Sequence, residues 1–248
     1  FGHGEKALVI LPGLSVQSVM GLADSIADAY RILAEKYTVY LFDRRKELPA
    51  VYTVQEMARD TVEAVRLLGL DRINLFGASQ GGMISMVIAI EHPDLVRKLA
   101  LGSTSSCVGN GHFEKVEQWI RMARTGDRTG LYLLFGEDVY PEAVFEQSRD
   151  LLVEAARTVT DEELARFIIL AQGAQEFDVT KDLKRIDCPV LVLGSRDDQV
   201  VGGDAAVRIA ENLRDQPGHE LFMYDGYGHA VYDTAPDYKE RLLNFFQA

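Results

Sequence analysis

Ile73-Asn74-Leu75-Phe76-Gly77-Ala78-Ser79-Gln80-Gly81-Gly82 decides how this chain is read. An apolar, strand-like run enters Gly-x-Ser-x-Gly directly, and a helix-like stretch over residues 83–91 follows without a gap. A serine at such a sharp strand-to-helix turn is held in a strained backbone conformation with its hydroxyl facing outward. Gly77 and Gly81 are expected to let the turn close without a Cβ clash, and Gly82 to let the helix pack against the strand. Gly-x-Ser-x-Gly in isolation is a weak signal, because glycine and serine are common in turns. Its flanking strand and helix make it a nucleophile motif.

Similar apolar runs recur on both sides of that stretch. Residues 7–11, 38–42, 73–76, 99–102, 190–193 and 220–224 read as strands, mostly continuous and without strict alternation. Continuous runs suit a parallel sheet covered by helices on both faces. Helix-period segments lie between them, near residues 22–35, 54–68, 82–91, 204–213 and 238–246. That alternation predicts an α/β fold with a mostly parallel, doubly wound sheet. One stretch breaks the rhythm. Between about residues 109 and 181 there is no convincing strand, and helical patterns fall at 112–124, 129–135, 141–157 and 161–171. So long a run exceeds an ordinary crossover. It is read as an inserted helical cap (109–181) over a core made of residues 1–108 and 182–248, with Thr160 and Glu163 capping one of its helices.

A chain of 248 residues can bury a substantial core. Its formal net charge of −12 argues against nucleic acid and against anionic membrane surfaces. No apolar run approaches the roughly 20 residues of a membrane span, and no signal peptide is visible. Cys107 and Cys188 make neither a disulfide framework nor a metal-ligand spacing, so buried structural thiols in a reducing cytoplasm are expected. The chain opens at Phe1, and the run Phe1-Gly2-His3-Gly4-Glu5-Lys6 reads as the turn before a strand, with a short hairpin expected ahead of it.

A serine hydroxyl is a weak nucleophile until a base takes its proton, and the base needs a third group to orient it. In this architecture the partners follow in the order acid, then histidine. The buried run Cys188-Pro189-Val190-Leu191-Val192-Leu193-Gly194 leads into Ser195-Arg196-Asp197-Asp198-Gln199-Val200-Val201, which sets two carboxylates past a strand end. Tyr224-Asp225-Gly226-Tyr227-Gly228-His229 then places a histidine after the last strand and a glycine-rich loop. All of these ends lie on the rim where open α/β sheets bind ligands. Counting from Gly194 permits either aspartate. The aspartate that does not serve as the acid is expected to cap a helix or face solvent.

On these residues the chain resembles the α/β-hydrolase superfamily over nearly its full length. Gly77-Ala78-Ser79-Gln80-Gly81-Gly82-Met83 is most similar to the carboxylesterase and enol-lactonase branch. The resemblance implies a helical cap between the sixth and seventh strands of the family fold and serine-dependent acyl transfer without a cofactor. It favours Asp198 over Asp197, since Gln199-Val200-Val201 matches the family's Asp-x-apolar-apolar habit. It also implies an oxyanion hole from the backbone N–H groups of Leu14 and Gln80. Leu11-Pro12-Gly13-Leu14 departs from the family's His-Gly, although Pro12 removes neither donor. Asp43-Arg44-Arg45-Lys46 departs from its Asp-x-Arg-Gly loop and is read as a solvated turn.

His92, before Pro93, suits the negative end of a helix. His3, His112 and His219 lack the strand-then-glycine context, and surface or loop roles are expected. Ser103 to Ser106 form a polar loop that either lines a pocket or serves the turn. Trp119, Met122, Tyr132 and Phe135 divide between cap core and pocket wall. No His-Glu-x-x-His, Cys-x-x-Cys or early Gly-x-Gly-x-x-Gly marks a metal or dinucleotide site. The function expected is hydrolysis of small carboxylic esters, thioesters or lactones by Ser79, His229 and Asp198, on a small-molecule acyl substrate. Activity would fall on acidification as the base is protonated. The same triad also serves C–C bond hydrolysis, perhydrolysis or acyl transfer, and a ligand sensor with little turnover is the alternative from another class. A homodimer through the cap or the last sheet edge is compatible with the chain.

Overall fold

Strand β1 (Lys6–Leu11) alternates its side chains between two apolar cores, Leu8 and Ile10 into one, Val9 and Leu11 into the other. The computed structural model describes residues 1–109, 113–215 and 217–248. Its further strands are β2 (Tyr37–Leu41), β3 (Ile73–Ala78), β4 (Val96–Gly102), β5 (Val190–Ser195) and β6 (His219–Tyr224). They form one parallel sheet in the order β2-β1-β3-β4-β5-β6. β4 starts earlier than its apolar run because Arg97 and Lys98 extend it, with the Lys98 ammonium donating to the Phe245 carbonyl at 2.7 Å. Ahead of β1, Phe1 and Gly2 pair antiparallel with Val39 and Thr38 beside β2.

The helices are α1 (Ala23–Ala29), α2 (Arg31–Ala34), α3 (Val54–Leu67), α4 (Gln80–Glu91), α5 (Glu114–Thr125), α6 (Arg128–Val139), α7 (Glu142–Arg157), α8 (Asp161–Gln172), α9 (Ala205–Leu213), α10 (Val231–Thr234) and α11 (Tyr238–Gln247). Met57, Val62, Ile84, Val87 and Ile209 bring α3, α4 and α9 onto one face of the sheet. Leu33, Tyr238, Leu242 and Phe246 bring α2 and α11 onto the other.

The single helix expected over 22–35 is broken. A 3₁₀ turn, Val19–Leu22, precedes α1, and Tyr30 leaves helical geometry at φ −102°, ψ 14°. Its buried ring lies 6.2 Å from that of Phe76. Across the bend Tyr30 N–H still donates to the Ile26 carbonyl at 3.0 Å, and its own carbonyl accepts from Ala34 N–H at 3.2 Å. Two short elements, the 3₁₀ helix Thr180–Arg185 and α10, escape the sequence reading because so few residues carry no readable period.

Helices α5 to α8 fill the run between β4 and β5, the fourth and fifth strands described. The start expected at His112 lies outside the described residues, and α6 continues past 135 to Val139. Thr160 and Glu163 make the expected reciprocal capping box on α8. Trp119, Leu131, Leu164 and Phe167 of this segment pack with Val16, Val200 and Val201 from the sheet's rim loops. Among the described residues no helix is long and apolar enough to cross a membrane.

Strand order explains where a site forms. The chain leaves β1 toward β2 and leaves β3 toward β4, on opposite sides. A crevice opens at the carboxyl ends of β1 and β3, where such sheets bind ligands.

Candidate active site

Ser79 closes β3 in a conformation ordinary residues avoid, φ 52°, ψ −120°. Holding it there costs on the order of 1–3 kcal/mol, and the surroundings supply the restraint. Its N–H donates to the Gly102 carbonyl at 2.8 Å, and its own carbonyl accepts from Gly82 N–H at 2.9 Å and the Thr104 hydroxyl at 2.7 Å. The glycines are required by contact. A Cβ on Gly77 would lie 2.3 Å from the Gly81 carbonyl oxygen, and one on Gly81 would lie 2.0 Å from that of Leu11. Gly82 makes room for the Thr104 side chain, in the loop after β4.

The Ser79 hydroxyl lies 2.9 Å from His229 Nε2, across 150 residues of sequence. His229 Nδ1 is 2.8 Å from Asp198 Oδ2, and both side chains are buried. Asp198 Oδ1 also accepts the N–H groups of Val200 and Val201, at 2.9 and 3.1 Å. An ionised carboxylate only accepts, so Nδ1 carries the ring proton and Nε2 presents its lone pair to the serine hydroxyl. Ser79, Asp198 and His229 are therefore brought together.

Asp197 departs from expectation. It neither caps a helix nor simply faces solvent. Its Oδ1 accepts the Ser195 hydroxyl at 2.6 Å and Gly226 N–H at 3.0 Å, while Oδ2 accepts Gly228 N–H at 3.0 Å. Burial pulls its carboxyl pKa upward, but these donors outweigh burial and hold it below the usual carboxylate value. Both glycines have positive φ, so the loop's backbone amides can turn inward to the carboxylate.

Beside Ser79 lies a cavity with about 40 Å³ of free space, lined by Leu14, Gln80, Met83, Ser105, Cys107, Val108 and Trp119 among others. A Cβ on Gly13 would stand 3.2 Å from that of Ser79, so the loop after β1 rests against the serine. Gln80 opens α4, where an N–H has no acceptor within the helix. Leu14 and Gln80 both line the cavity beside Ser79. Of the polar loop after β4, Ser105 lines the cavity and donates to the Cys107 carbonyl, Thr104 holds the elbow, and Ser106 meets Thr180. Trp119 lines this cavity, whereas Tyr132 and Phe135 face a separate groove and Met122 packs in the α5–α8 core.

The solvated turn read at Asp43-Arg44-Arg45-Lys46 holds only for its second half. Arg44 Nη2 donates to Gln80 Oε1 at 2.9 Å, and Gln80 Nε2 donates to the Leu170 carbonyl of α8 at 2.6 Å. Burial pulls the Arg44 guanidinium down to about 10, still charged at neutral pH. Asp43 accepts from Ser18 at 2.6 Å and Arg166 of α8 at 3.1 Å. A run of charges says nothing of which member turns inward. Here the acceptor that draws Arg44 in, Gln80 Oε1, is 36 residues away.

Cys107 is another departure, since it lines the cavity instead of serving only as core. Cys188 is half-buried, and burial pushes its thiol up to about 11. His92 ends α4 as expected, His219 begins β6, and His112 lies outside the described residues.

Over 99% of its length the chain is 28% identical to a protein from Pseudomonas savastanoi pv. phaseolicola named "Putative carbamate hydrolase RutD", 96% of which is covered. Its structure is similar to that of MGS-M2, an alpha/beta hydrolase enzyme from a Medee basin deep-sea metagenome library, with a TM-score of 0.85 at 21% identity, covering 98% of this chain and 90% of that one. It is also similar to the enol-lactonase from Burkholderia xenovorans LB400, with a TM-score of 0.83 at 17% identity, covering 100% and 93%. A family model described as the alpha/beta hydrolase fold matches residues 6–236, and the chain belongs to that family.

Proposed function

We propose that this protein is a serine hydrolase that cleaves small carboxylic esters, thioesters or lactones through an acyl-enzyme. One observation carries the reading: a strained Ser79 hydroxyl 2.9 Å from His229 Nε2, with Asp198 2.8 Å behind the ring. His229 takes the proton as Ser79 Oγ attacks the carbonyl carbon, and Asp198 holds the ring's tautomer and stabilises its charged form. The N–H groups of Leu14 and Gln80 meet the oxyanion, a contribution of about 3–4 kcal/mol per donor in sites of this kind. His229 returns the proton to the leaving group. It then activates a water that releases the acyl group and restores Ser79. Residues 109–181 serve as the lid, with Trp119 forming part of the cavity wall.

A second reading draws on the relative's printed name. A carbamate also presents a carbonyl carbon bonded to heteroatoms, open to the same nucleophile, and the likeness spans 99% of this chain.

A fluorophosphonate probe tests the reading. It should label Ser79 stoichiometrically, and p-nitrophenyl acetate should give a burst of nitrophenolate equal to the enzyme present. Ser79→Ala should do neither. Labelling elsewhere, or none on folded protein, would remove the serine from the mechanism.

A further inference from the structure

We infer, resting on the serine acyl-transfer reading, that the site accepts a short, uncharged acyl group and that Trp119 sets its length. The cavity beside Ser79 has about 40 Å³ of free space. That space is small and its walls, Leu14, Met83, Val108 and Trp119 among them, are apolar, so it suits a short acyl chain.

The lining also decides charge. No Lys, Arg, Asp or Glu lines the cavity among the described residues. The polar groups of Gln80 and Ser105 are already engaged, the amide by Arg44 and the Leu170 carbonyl, the hydroxyl by the Cys107 carbonyl. A carboxylate on the acyl chain would be buried with no cation to offset its lost hydration. The chain's net charge of −12 opposes it further.

Trp119 is a wall that cannot easily swing aside. It is 2% exposed, and its indole N–H donates to Asp138 Oδ2 at 2.7 Å. Asp138 is itself buried, with Oδ1 on the Lys115 ammonium, and the Phe135 ring stands 4.5 Å from the indole. Displacing the indole would leave a buried carboxylate short of a donor.

The test is the dependence of kcat/KM on chain length for p-nitrophenyl acetate, butanoate, hexanoate and octanoate. In an apolar pocket, a methylene changes kcat/KM by about tenfold or more. The wild type should therefore lose at least tenfold from butanoate to hexanoate. Trp119→Ala should raise the hexanoate-to-acetate ratio at least tenfold. Trp119→Phe, which keeps an aromatic wall, should raise it by less and stands in if the alanine variant fails to fold. In the enlarged cavity of either variant, the succinate half-ester should remain slower than its neutral isostere, 4-methylpentanoate. Trp119 is the chain's single tryptophan, so its fluorescence reports occupancy. Ethyl butanoate should perturb the emission of Ser79→Ala and ethyl octanoate should not. Labelling at Ser79 with a flat length profile, a ratio unmoved in folded Trp119 variants, or faster cleavage of the charged half-ester would overturn this inference and leave the serine reading intact. No labelling and no cleavage at any length would overturn both.

Discussion

Asp197 and Asp198 are neighbours in sequence, yet each holds a different part of the same histidine segment. Asp198 meets the His229 ring at Nδ1, and Asp197 accepts the backbone N–H groups of Gly226 and Gly228 just ahead of it. One carboxylate orients the imidazole and the other anchors the loop that delivers it. Their substitutions should therefore differ in kind.

Asp198→Asn should lower kcat on a short ester by about a thousand- to ten-thousand-fold, since an amide there favours the wrong tautomer. Asp197→Asn should lower kcat by only about tenfold with KM little changed, because one amide oxygen cannot satisfy all three donors and the NH₂ would face an N–H. Steady-state kinetics on both variants settles the assignment. A reversed ranking would make Asp197 the acid.

The Asp197 carboxyl pKa is depressed by folding, so the sign of its pH effect follows. Its stabilisation is fully present above the unfolded value of about 3.9 and is lost as pH falls through the lower folded value. The difference in Tm between the wild type and Asp197→Ala should be constant from pH 7 to pH 5 and shrink below about pH 4. A gap that widens on acidification would contradict the donor set described around Asp197.

Arg44→Met should leave Gln80 Oε1 buried without its donor. Losing such a partner costs about 1–3 kcal/mol, or about 2–12 °C in Tm for a chain of this size. A melt recorded by circular dichroism measures it. An unchanged Tm would mean that the turn at Arg44 is solvated after all.

Gly81→Ala should abolish folded, probe-reactive protein, because its Cβ would sit 2.0 Å from the Leu11 carbonyl oxygen. Gly21→Ala is the control. Nothing lies within 4 Å of that added carbon, and its stability should stay within about 0.5 kcal/mol of wild type. Equal expression and labelling of the two variants would show that the elbow tolerates more bulk than this packing allows.

Periodicity and turn chemistry act over a few residues, and what depends on them could be read directly from the chain. The sheet strands, the Ser79 elbow and the Thr160 capping box all belong to this group, because alternation of apolar runs, glycine spacing and cap residues are local properties. His229 was legible for the same reason, as a histidine after a strand and a glycine loop. Contacts between distant segments were not. Where Arg44 points and which aromatic walls the cavity each depend on a partner elsewhere, Gln80 and Asp138 respectively. Burial makes an unmatched polar group or an empty space costly, so these choices are settled only when the segments meet.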